Sequence, residues 1–366
     1  MSGLVKQYDL RRKGGSIPPI LAGRHSGVPP GKGRLVAVEA QVRKIVEAVA
    51  RRGDTAVAAF TRELDGVALT PRQFKIRSSQ ISSALNKIGG DLLCSMEKAL
   101  NNIREFHQRT LPGSRQYKSA DGVTLGERLT PVERVGVYIP GGKAFYPSTV
   151  LMTVVPAKVA GCKEIVLVSP PSYDGTIHPA ILAAASLAGA SSVFRIGGAQ
   201  AIAALAYGTK TVPAVDKIVG PGNIYVTTAK RLVSARVEID KEAGPTEILI
   251  IADKRANPGW VAADMLAQAE HEKYAVAILL TDSAQLARKV ASELENQLQK
   301  LPRKRFAEQA LKRNGAIVVT SNLAGAAELS NMRAPEHLSL MVERPKQLLK
   351  LITNAGAIFL GHYSPV

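Results

Sequence analysis

From residue 135 onward, short segments rich in Val, Ile and Leu alternate with helical segments, and this alternation constrains the fold most. Most of these segments are continuous apolar runs, which indicates strands covered on both faces. Strands separated by helices predict parallel sheets joined by right-handed crossovers. The predicted strands are 135–139, 164–168, 192–196, 217–219, 247–251, 275–280, 315–320, 337–342 and 357–360. They exceed one comfortable doubly wound sheet, so the sequence predicts two α/β domains.

The N-terminal part of the chain shows a different pattern. Residues 1–34 are rich in Pro, Gly and Arg, which predicts an irregular arm. From Leu35, apolar residues recur at steps of three and four, which is typical of an amphipathic helix. Further helices are expected over 55–64 and 79–107.

The chain is strongly basic, with 48 Lys and Arg against 30 Asp and Glu and a formal net charge of +18. Such a balance favours anionic partners. The basic residues are scattered, however, and the aromatic residues, 5% of the chain, do not interleave with them as a nucleic-acid stacking platform requires. We therefore expect no specific nucleic-acid binding, and a positive field that attracts anionic cofactors such as a dinucleotide.

The cysteine content and the N-terminus bear on the compartment. Cys94 and Cys162 are the two cysteines; they lie far apart and can form neither a disulfide framework nor a cysteine-based zinc site, which fits a reducing compartment. Residues 1–15 contain no apolar core of a signal peptide, and no apolar run is long enough to cross a bilayer. The sequence predicts a cytoplasmic protein without a membrane partner.

Three glycine turns follow predicted strands, at 141–142, 197–198 and 220–222. The standard Gly-x-Gly-x-x-Gly fingerprint is absent. Glycine lets a backbone approach a ligand, helix N-termini favour anions, and ligands of open α/β sheets bind beyond the carboxyl ends of strands. A single such turn is usually plain turn chemistry. Three turns in neighbouring units leave a nucleotide crevice and simple turns as equal interpretations.

Two residue pairs are candidates for chemistry. Gln268 and His271 are spaced i, i+3 in a segment that Asn257 opens as a helix N-cap, so they either hold a metal or form a polar helix face. Glu336 and His337 stand where a loop enters a predicted strand, so they are either an acid–base pair or part of a surface loop. The remaining histidines receive no role from their spacing.

Read together, these segments resemble the histidinol dehydrogenase family. The resemblance covers nearly the whole chain from about Leu35 and is carried by long ordered strings. They include VGVYIPGGK at 135–143, GGAQAIAALAYGT at 197–209, DKIVGPGN at 216–223, AGPTE at 243–247, QAEH at 268–271 and RAPEHL at 333–338.

The resemblance implies two Rossmann-like α/β domains with parallel sheets covered by helices, after an N-terminal arm. It divides the chain into the arm, 1–34; a first domain, 35–137 with 247–366, that carries the catalytic and zinc-ligand residues; and a second, NAD-binding domain, 138–246.

The resemblance also implies roles for single residues. Tyr138, Gln200 and Asn223 match NAD-contacting positions of the family, and all three lie at the glycine turns. Gln268 and His271 match two zinc ligands that also face the substrate.

Glu336 and His337 match the catalytic pair of the family, and His337 also contacts substrate there. Thr246 stands where the family usually has a substrate-contacting serine. This departure keeps the hydroxyl and adds a methyl group, so we expect tighter packing and unchanged chemistry.

The implied activity is the NAD-dependent oxidation of L-histidinol through L-histidinal to L-histidine, in histidine biosynthesis, by a zinc-binding homodimer. In the family a further aspartate ligand and a histidine for the partner's zinc site follow the position matched by Val366. As written, the chain is therefore expected to hold an incomplete Zn²⁺ site and to form a less stable dimer. Two alternatives stay open: a homologue that binds NAD without turnover, and a zinc-dependent dehydrogenase of another small polar alcohol.

Overall fold

The computed structural model describes residues 3–11, 17–22, 32–141, 145–171, 175–241 and 246–366. Contacts between Cα atoms divide the chain into two compact units. Unit 1 combines Met1–Lys32 with Gly244–Val366, and unit 2 is Gly33–Ala243.

The strands are short. After residue 135 they occur where the apolar runs predicted them, except for one at Glu238–Ile239, and further strands precede residue 135. In chain order they are β1 (Lys6–Asp9), β2 (Arg115–Lys118), β3 (Thr124–Glu127), β4 (Arg134–Tyr138), β5 (Glu164–Val168), β6 (Ser192–Phe194), β7 (Lys217–Val219), β8 (Glu238–Ile239), β9 (Glu247–Ala252), β10 (Val276–Thr281), β11 (Gly315–Val319), β12 (His337–Met341) and β13 (Ala357–Leu360).

The helices fill the intervals between the strands. They are α1 (Lys32–Arg52), α2 (Asp54–Leu64), α3 (Ser78–Ser83), α4 (Gly90–Thr110), α5 (Pro147–Ala160), α6 (Pro179–Ala188), α7 (Gly198–Tyr207), α8 (Ile224–Val233), α9 (Pro258–Ala269), α10 (Ala284–Leu298), α11 (Lys304–Asn314), α12 (Leu323–Arg333) and α13 (Pro345–Leu349), with short 3-10 helices at Pro71–Gln73 and Ala84–Lys87. Among the described residues no helix is long and apolar enough to span a membrane.

Unit 2 is built around a parallel sheet in the order β6-β5-β4-β7-β8. The chain adds strands on one side of β4, then crosses back to add β7 and β8 on the other. Apolar side chains of this sheet pack into two separate cores, one on each face. The topological switch point, where ligands of such sheets bind, therefore lies between the carboxyl ends of β4 and β7. β2 and β3 form a separate antiparallel hairpin.

Unit 1 repeats the same strand order, β11-β10-β9-β12-β13, and adds β1 at the edge beside β11. All of these pairings are parallel, and apolar cores cover both faces. The prediction of α/β units with parallel sheets covered by helices is confirmed.

The N-terminal arm is partly regular, which corrects the prediction of an irregular segment. Lys6–Asp9 pairs with β11, and Leu4 and Val5 beside it are buried. The sequence of this strand shows no apolar alternation, because it is an edge strand whose side chains are mostly exposed. Its hydrogen bonds with β11 stabilise it instead. Residues 12–16 and 23–31 of the arm lie outside the described residues.

The division into units also differs from the expected domains, which grouped 35–137 with 247–366. The structure groups 33–137 with unit 2. β4 pairs with β5 and β7, and the apolar stripe of α1 packs in the same core as Phe194 and Ile202 of unit 2. Periodicity shows which face of a helix is apolar, but it does not show which sheet that face covers.

Candidate active site

The glycine turns of unit 2 meet at the carboxyl edge of its sheet. Gly220 follows β7 with φ 114°, and a Cβ there would overlap the carbonyl oxygen of Tyr138. Gly141 and Gly197, after β4 and β6, both lie so close to Pro170, after β5, that neither has room for a Cβ. Glycine therefore lets the segments after β4, β5, β6 and β7 pack closely against one another at the carboxyl edge of the sheet, the edge where ligands of such sheets bind.

Tyr138 ends β4 and places its ring inside the unit. Its hydroxyl oxygen accepts a hydrogen bond from the backbone N–H of Gly198, 3.2 Å away, at the first turn of α7. Burial raises the pKa of Tyr138 to about 12. The phenol therefore stays neutral and acts only through hydrogen bonds at this edge.

Gln200 lies in the first turn of α7 and is fully buried. Its Nε2 donates to Oδ2 of Asp65 at 3.2 Å, whereas its Oε1 has no hydrogen-bond partner among the described residues. Burial raises the pKa of Asp65 to about 6, opposed by the hydrogen bond from Gln200. An unpaired buried amide oxygen at the switch point is a group that a hydrogen-bond donor of a ligand would satisfy.

Asn223 is exposed and caps α8. Its Oδ1 accepts from the backbone N–H groups of Tyr225, at 3.0 Å, and Val226, at 3.2 Å. This use of the oxygen leaves the Nδ2 donors of the amide for other partners.

A buried ion pair holds the third glycine turn from behind. Lys230, with a side chain only 5% exposed, pairs with Asp240 and donates to the carbonyl oxygen of Gly220 at 3.0 Å. Asp240 Oδ2 accepts from the N–H of the same glycine at 2.8 Å. The pair, which we call the Lys230–Asp240 clasp, thus binds both polar backbone groups of Gly220.

In unit 1, Glu336 and His337 stand at the amino end of β12. α12 ends at Arg333, Ala334 takes a left-handed conformation (φ 52°, ψ 64°), and Pro335 prevents the helix from continuing. Ala334 is the one non-glycine residue with positive φ in the described ranges, at a cost of about 1–2 kcal/mol. Such strain is typical of functional sites.

The imidazole of His337 has a defined partner. Its Nδ1 lies 3.0 Å from the carbonyl oxygen of Glu247, the first residue of β9. A carbonyl oxygen can only accept, so the bond requires a proton on Nδ1, and in the neutral imidazole Nε2 is then the nitrogen that carries the lone pair. Oε2 of Glu336 is 3.8 Å from the same Nδ1, and both side chains are about one-third exposed. A base and a carboxylate are therefore held side by side.

Thr246 and Gln268 lie at the same edge of unit 1. Gln268 is buried in the last turn of α9, and its Nε2 donates to Oγ1 of Thr246, directly before β9. This hydrogen bond fixes the amide and leaves its Oε1 as an available acceptor.

His271 lies beyond the end of α9, which corrects the prediction that it lies on the same helix as Gln268. α9 ends at Ala269, and His271 lies in the exposed turn beyond the C-cap residue Glu270. The predicted helix overruns here because no proline or glycine marks its end.

Comparison with known proteins identifies the family. The family model described as histidinol dehydrogenase matches residues 31–366. The chain belongs to the histidinol dehydrogenase family. The histidinol dehydrogenase of Synechococcus sp. is 52% identical over 331 residues, which cover 90% of this chain and 76% of the relative, and that of Moorella thermoacetica is 51% identical over 335 residues, 91% of this chain and 79% of the relative.

The structure agrees with this family. A crystal structure of histidinol dehydrogenase from Elizabethkingia anophelis superposes with a TM-score of 0.91 at 36% identity, covering all of this chain and 82% of that one. The resemblance drawn from the motif strings is thereby confirmed, together with the α/β fold class. The chain is an oxidoreductase of the histidinol dehydrogenase family.

Zinc binding is general in this family, and the metal requires a set of donor side chains held close together. No group of three or more His, Cys, Asp or Glu in the described ranges is arranged to hold a metal ion. Gln268 and His271 offer two donors, whereas zinc takes four ligands, or three with one open position. The described residues of this histidinol dehydrogenase homologue therefore do not form a zinc site by themselves.

Sequence reasoning missed the residues that hold the site in place. Asp65, the Lys230–Asp240 clasp and the pair of Arg333 with Glu247 were not singled out. Their contacts join segments that are distant in the sequence; Asp65 and Gln200, for example, are 135 positions apart. The charged residue types at these positions were visible, but their burial was not.

Proposed function

We propose that this chain oxidises L-histidinol through L-histidinal to L-histidine, with NAD as the hydride acceptor. One observation supports the assignment of the base most strongly. The hydrogen bond of His337 to the Glu247 carbonyl places the proton of the neutral imidazole on Nδ1, so that Nε2 is the acceptor of that form, beside the carboxylate of Glu336.

The chemistry balances with these two groups. Oxidising a primary alcohol to an acid removes two hydrides and adds one water molecule. In the first step Nε2 of His337 accepts the hydroxyl proton while the carbon loses a hydride, which gives the aldehyde. Glu336 then accepts a proton from the water that attacks the aldehyde carbon. After His337 has released the first proton to solvent, it accepts the hydroxyl proton of the hydrated aldehyde while the carbon loses a second hydride, which gives the acid.

Two adjacent residues suit a reaction in two steps on one carbon. Glu336 and His337 enter β12 together, and the first hydrogen bonds of β12 and β13 fix their backbone. Bases held in a fixed place reach the reacting carbon without further loss of entropy. NAD, when bound, supplies the acceptor for each hydride.

Tyr138, Gln200 and Asn223 are proposed to contact the dinucleotide. Two groups support this assignment because each can bind a polar ligand. They are Oε1 of Gln200, which has no partner among the described residues, and Nδ2 of Asn223, whose Oδ1 caps α8. Oε1 of Gln200 is buried, so contact with it requires a local opening of the turn. The net charge of +18 favours the approach of an anionic dinucleotide.

Thr246, Gln268, His271 and His337 are proposed to bind the substrate. The available acceptor of Gln268 and the imidazole of His271 suit the nitrogen-bearing groups of L-histidinol. The same two residues would contribute to a zinc site if further ligands joined them. We also propose a homodimer as the working form, which the mass in solution tests.

Substitution of the two bases tests the proposal. His337→Asn is expected to lower the rate of L-histidinol oxidation about 10²–10⁴-fold, because the alcohol loses its proton acceptor. Glu336→Gln is expected to slow L-histidinal oxidation more than L-histidinol oxidation, so that aldehyde is released. His107→Asn, on α4 of unit 2, is the control and should leave both rates unchanged. Full turnover by His337→Asn would refute the assignment.

A further inference from the structure

Arg333 is an arginine with almost no exposure to solvent. It ends α12, its side chain is 1% exposed, and its guanidinium is ion-paired with the carboxylate of Glu247, which is 15% exposed. Removing two charges from water costs free energy, and the attraction between them often does no more than offset this cost. Apolar residues of similar volume would therefore stabilise the fold equally well. The pair is therefore better explained by what it positions.

Glu247 makes two bonds in different directions. Its side chain holds Arg333, and its main-chain oxygen holds Nδ1 of His337 at 3.0 Å. Arg333 precedes His337 by four residues, so the two bonds close a ring that starts and ends on the same short segment. This ring encloses Ala334, with its left-handed φ of 52°, and Glu336. A displacement of Glu247 therefore moves the segment between α12 and β12 together with the imidazole of His337.

We infer that the Arg333–Glu247 pair is a positioning device for His337, which fixes the carbonyl that selects the Nδ1–H tautomer. The inference rests on the proposed role of His337 as the base. With the carbonyl in place, Nε2 is free to accept a proton. Without it, the neutral imidazole can carry its proton on Nε2, and that nitrogen is then no base.

Among the described residues, the other groups near the imidazole of His337 do not replace this carbonyl. Oε2 of Glu336 lies 3.8 Å from Nδ1, beyond hydrogen-bond distance. The ring of Phe359 packs 6.1 Å from the imidazole at 48° and offers no acceptor. The carboxylate of Glu247 is occupied by Arg333 and does not compete for the imidazole proton.

The test uses the full chain and two readouts, the ¹⁵N spectrum of the His337 imidazole and steady-state turnover. Arg333→Met and Glu247→Gln are expected to reduce the Nδ1–H population and to lower kcat at least about tenfold, since a wrong tautomer of a catalytic histidine costs up to about 10⁴-fold. KM for NAD should stay within about twofold, because the proposed NAD contacts lie in unit 2. Arg333→Lys, which keeps the charge, should restore part of both readouts.

The control lies on the same two strands at their other end. Arg255 pairs with Glu343 beyond the carboxyl ends of β9 and β12, with both side chains exposed. Arg255→Met should leave the tautomer and kcat unchanged. The spectrum of His337→Asn identifies which signals belong to His337.

Two results would overturn the inference. One is a folded Arg333→Met or Glu247→Gln variant with an unchanged tautomer and unchanged kcat. The other is a lower kcat with an unchanged tautomer, which would mark the pair as merely structural. If Arg333→Met does not fold, Glu247→Gln and Arg333→Lys decide. Failure of the proposed function gives a different pair of results. In that case His337→Asn turns over normally, while Arg333→Met still changes the tautomer of His337 in the chain that retains this histidine.

Discussion

Asp264 is a half-buried carboxyl group on α9 that the proposed chemistry does not use. Its Oδ2 has no hydrogen-bond partner in the part of the chain that the structure describes. Burial raises its pKa from 3.8 to about 6. The fold thus disfavours the charged form, so the stability that this group contributes is present below about pH 4 and is lost as the pH rises through about 6.

Asp264→Asn is therefore expected to raise Tm by a few degrees near pH 7 and to change it little near pH 4. The amide keeps the shape of the side chain and removes the buried charge. Thermal unfolding followed by circular dichroism at the two pH values measures the difference. Asp121→Asn, at an exposed hairpin, should change Tm at neither pH, and an equal shift of Asp264→Asn at both values would contradict the prediction.

Gly220 is the glycine on which the turn after β7 depends. Gly220→Ala adds a Cβ at φ 114° and against the carbonyl of Tyr138, and should cost more than about 3 kcal/mol of unfolding free energy and weaken NAD binding. Gly122→Ala is the matched control, because Gly122 has φ 82° and open space around it and should show only the conformational cost of about 1–2 kcal/mol. Equal losses of unfolding free energy in urea would show that the close approach contributes nothing.

At the scale of single residues, the sequence predicted which residues are candidates for chemistry better than it predicted which of their atoms carry protons. The string around Glu336 and His337 was sufficient to predict a catalytic pair, which stays a prediction. The protonated nitrogen of His337 was not predictable, because it depends on a carbonyl 90 residues away in the chain.

Among the elements, the turn from β7 to α8 owes its shape to the Lys230–Asp240 clasp. Lys230→Met leaves a partly buried carboxylate and a carbonyl oxygen without their cation, so it should lower the free energy of unfolding by about 3–5 kcal/mol. The loosened turn should also raise KM for NAD more than it lowers kcat.

Urea unfolding and NAD-dependent kinetics measure both effects of Lys230→Met. The exposed pair of Lys217 with Glu238 joins β7 and β8 of the same sheet, and Lys217→Met should cost less than about 1 kcal/mol. If the two variants behaved alike, the clasp would have no special role in the turn.

The apolar strands were predictable because a strand that is buried on both faces consists almost entirely of apolar residues. β1 was not, since its order comes from pairing with β11 and its side chains are mostly exposed. The end of α9 before His271 was also missed, because a tight loop rather than a helix-breaking residue ends it.

At the scale of the whole molecule, two units share one strand order and place their candidate sites at opposite edges of their sheets. The proposed NAD contacts follow the carboxyl ends of β4, β6 and β7, as expected for open α/β sheets. Glu336, His337 and Thr246 stand instead at the amino ends of β9 and β12. The repeated fold was predictable from the alternation of apolar strands with helices. The grouping of 33–137 with unit 2 was not, because it depends on packing between residues that are distant in the sequence.

In the proposed function this chain carries out both oxidations on a substrate with an imidazole ring. The most direct measurement is the ratio of NADH formed to L-histidine formed from L-histidinol, with L-phenylalaninol as a substrate of similar shape that lacks the imidazole nitrogens. We expect two NADH for each L-histidine and no NADH from L-phenylalaninol. Release of L-histidinal with one NADH, equal oxidation of both alcohols, or no NADH from L-histidinol would contradict it.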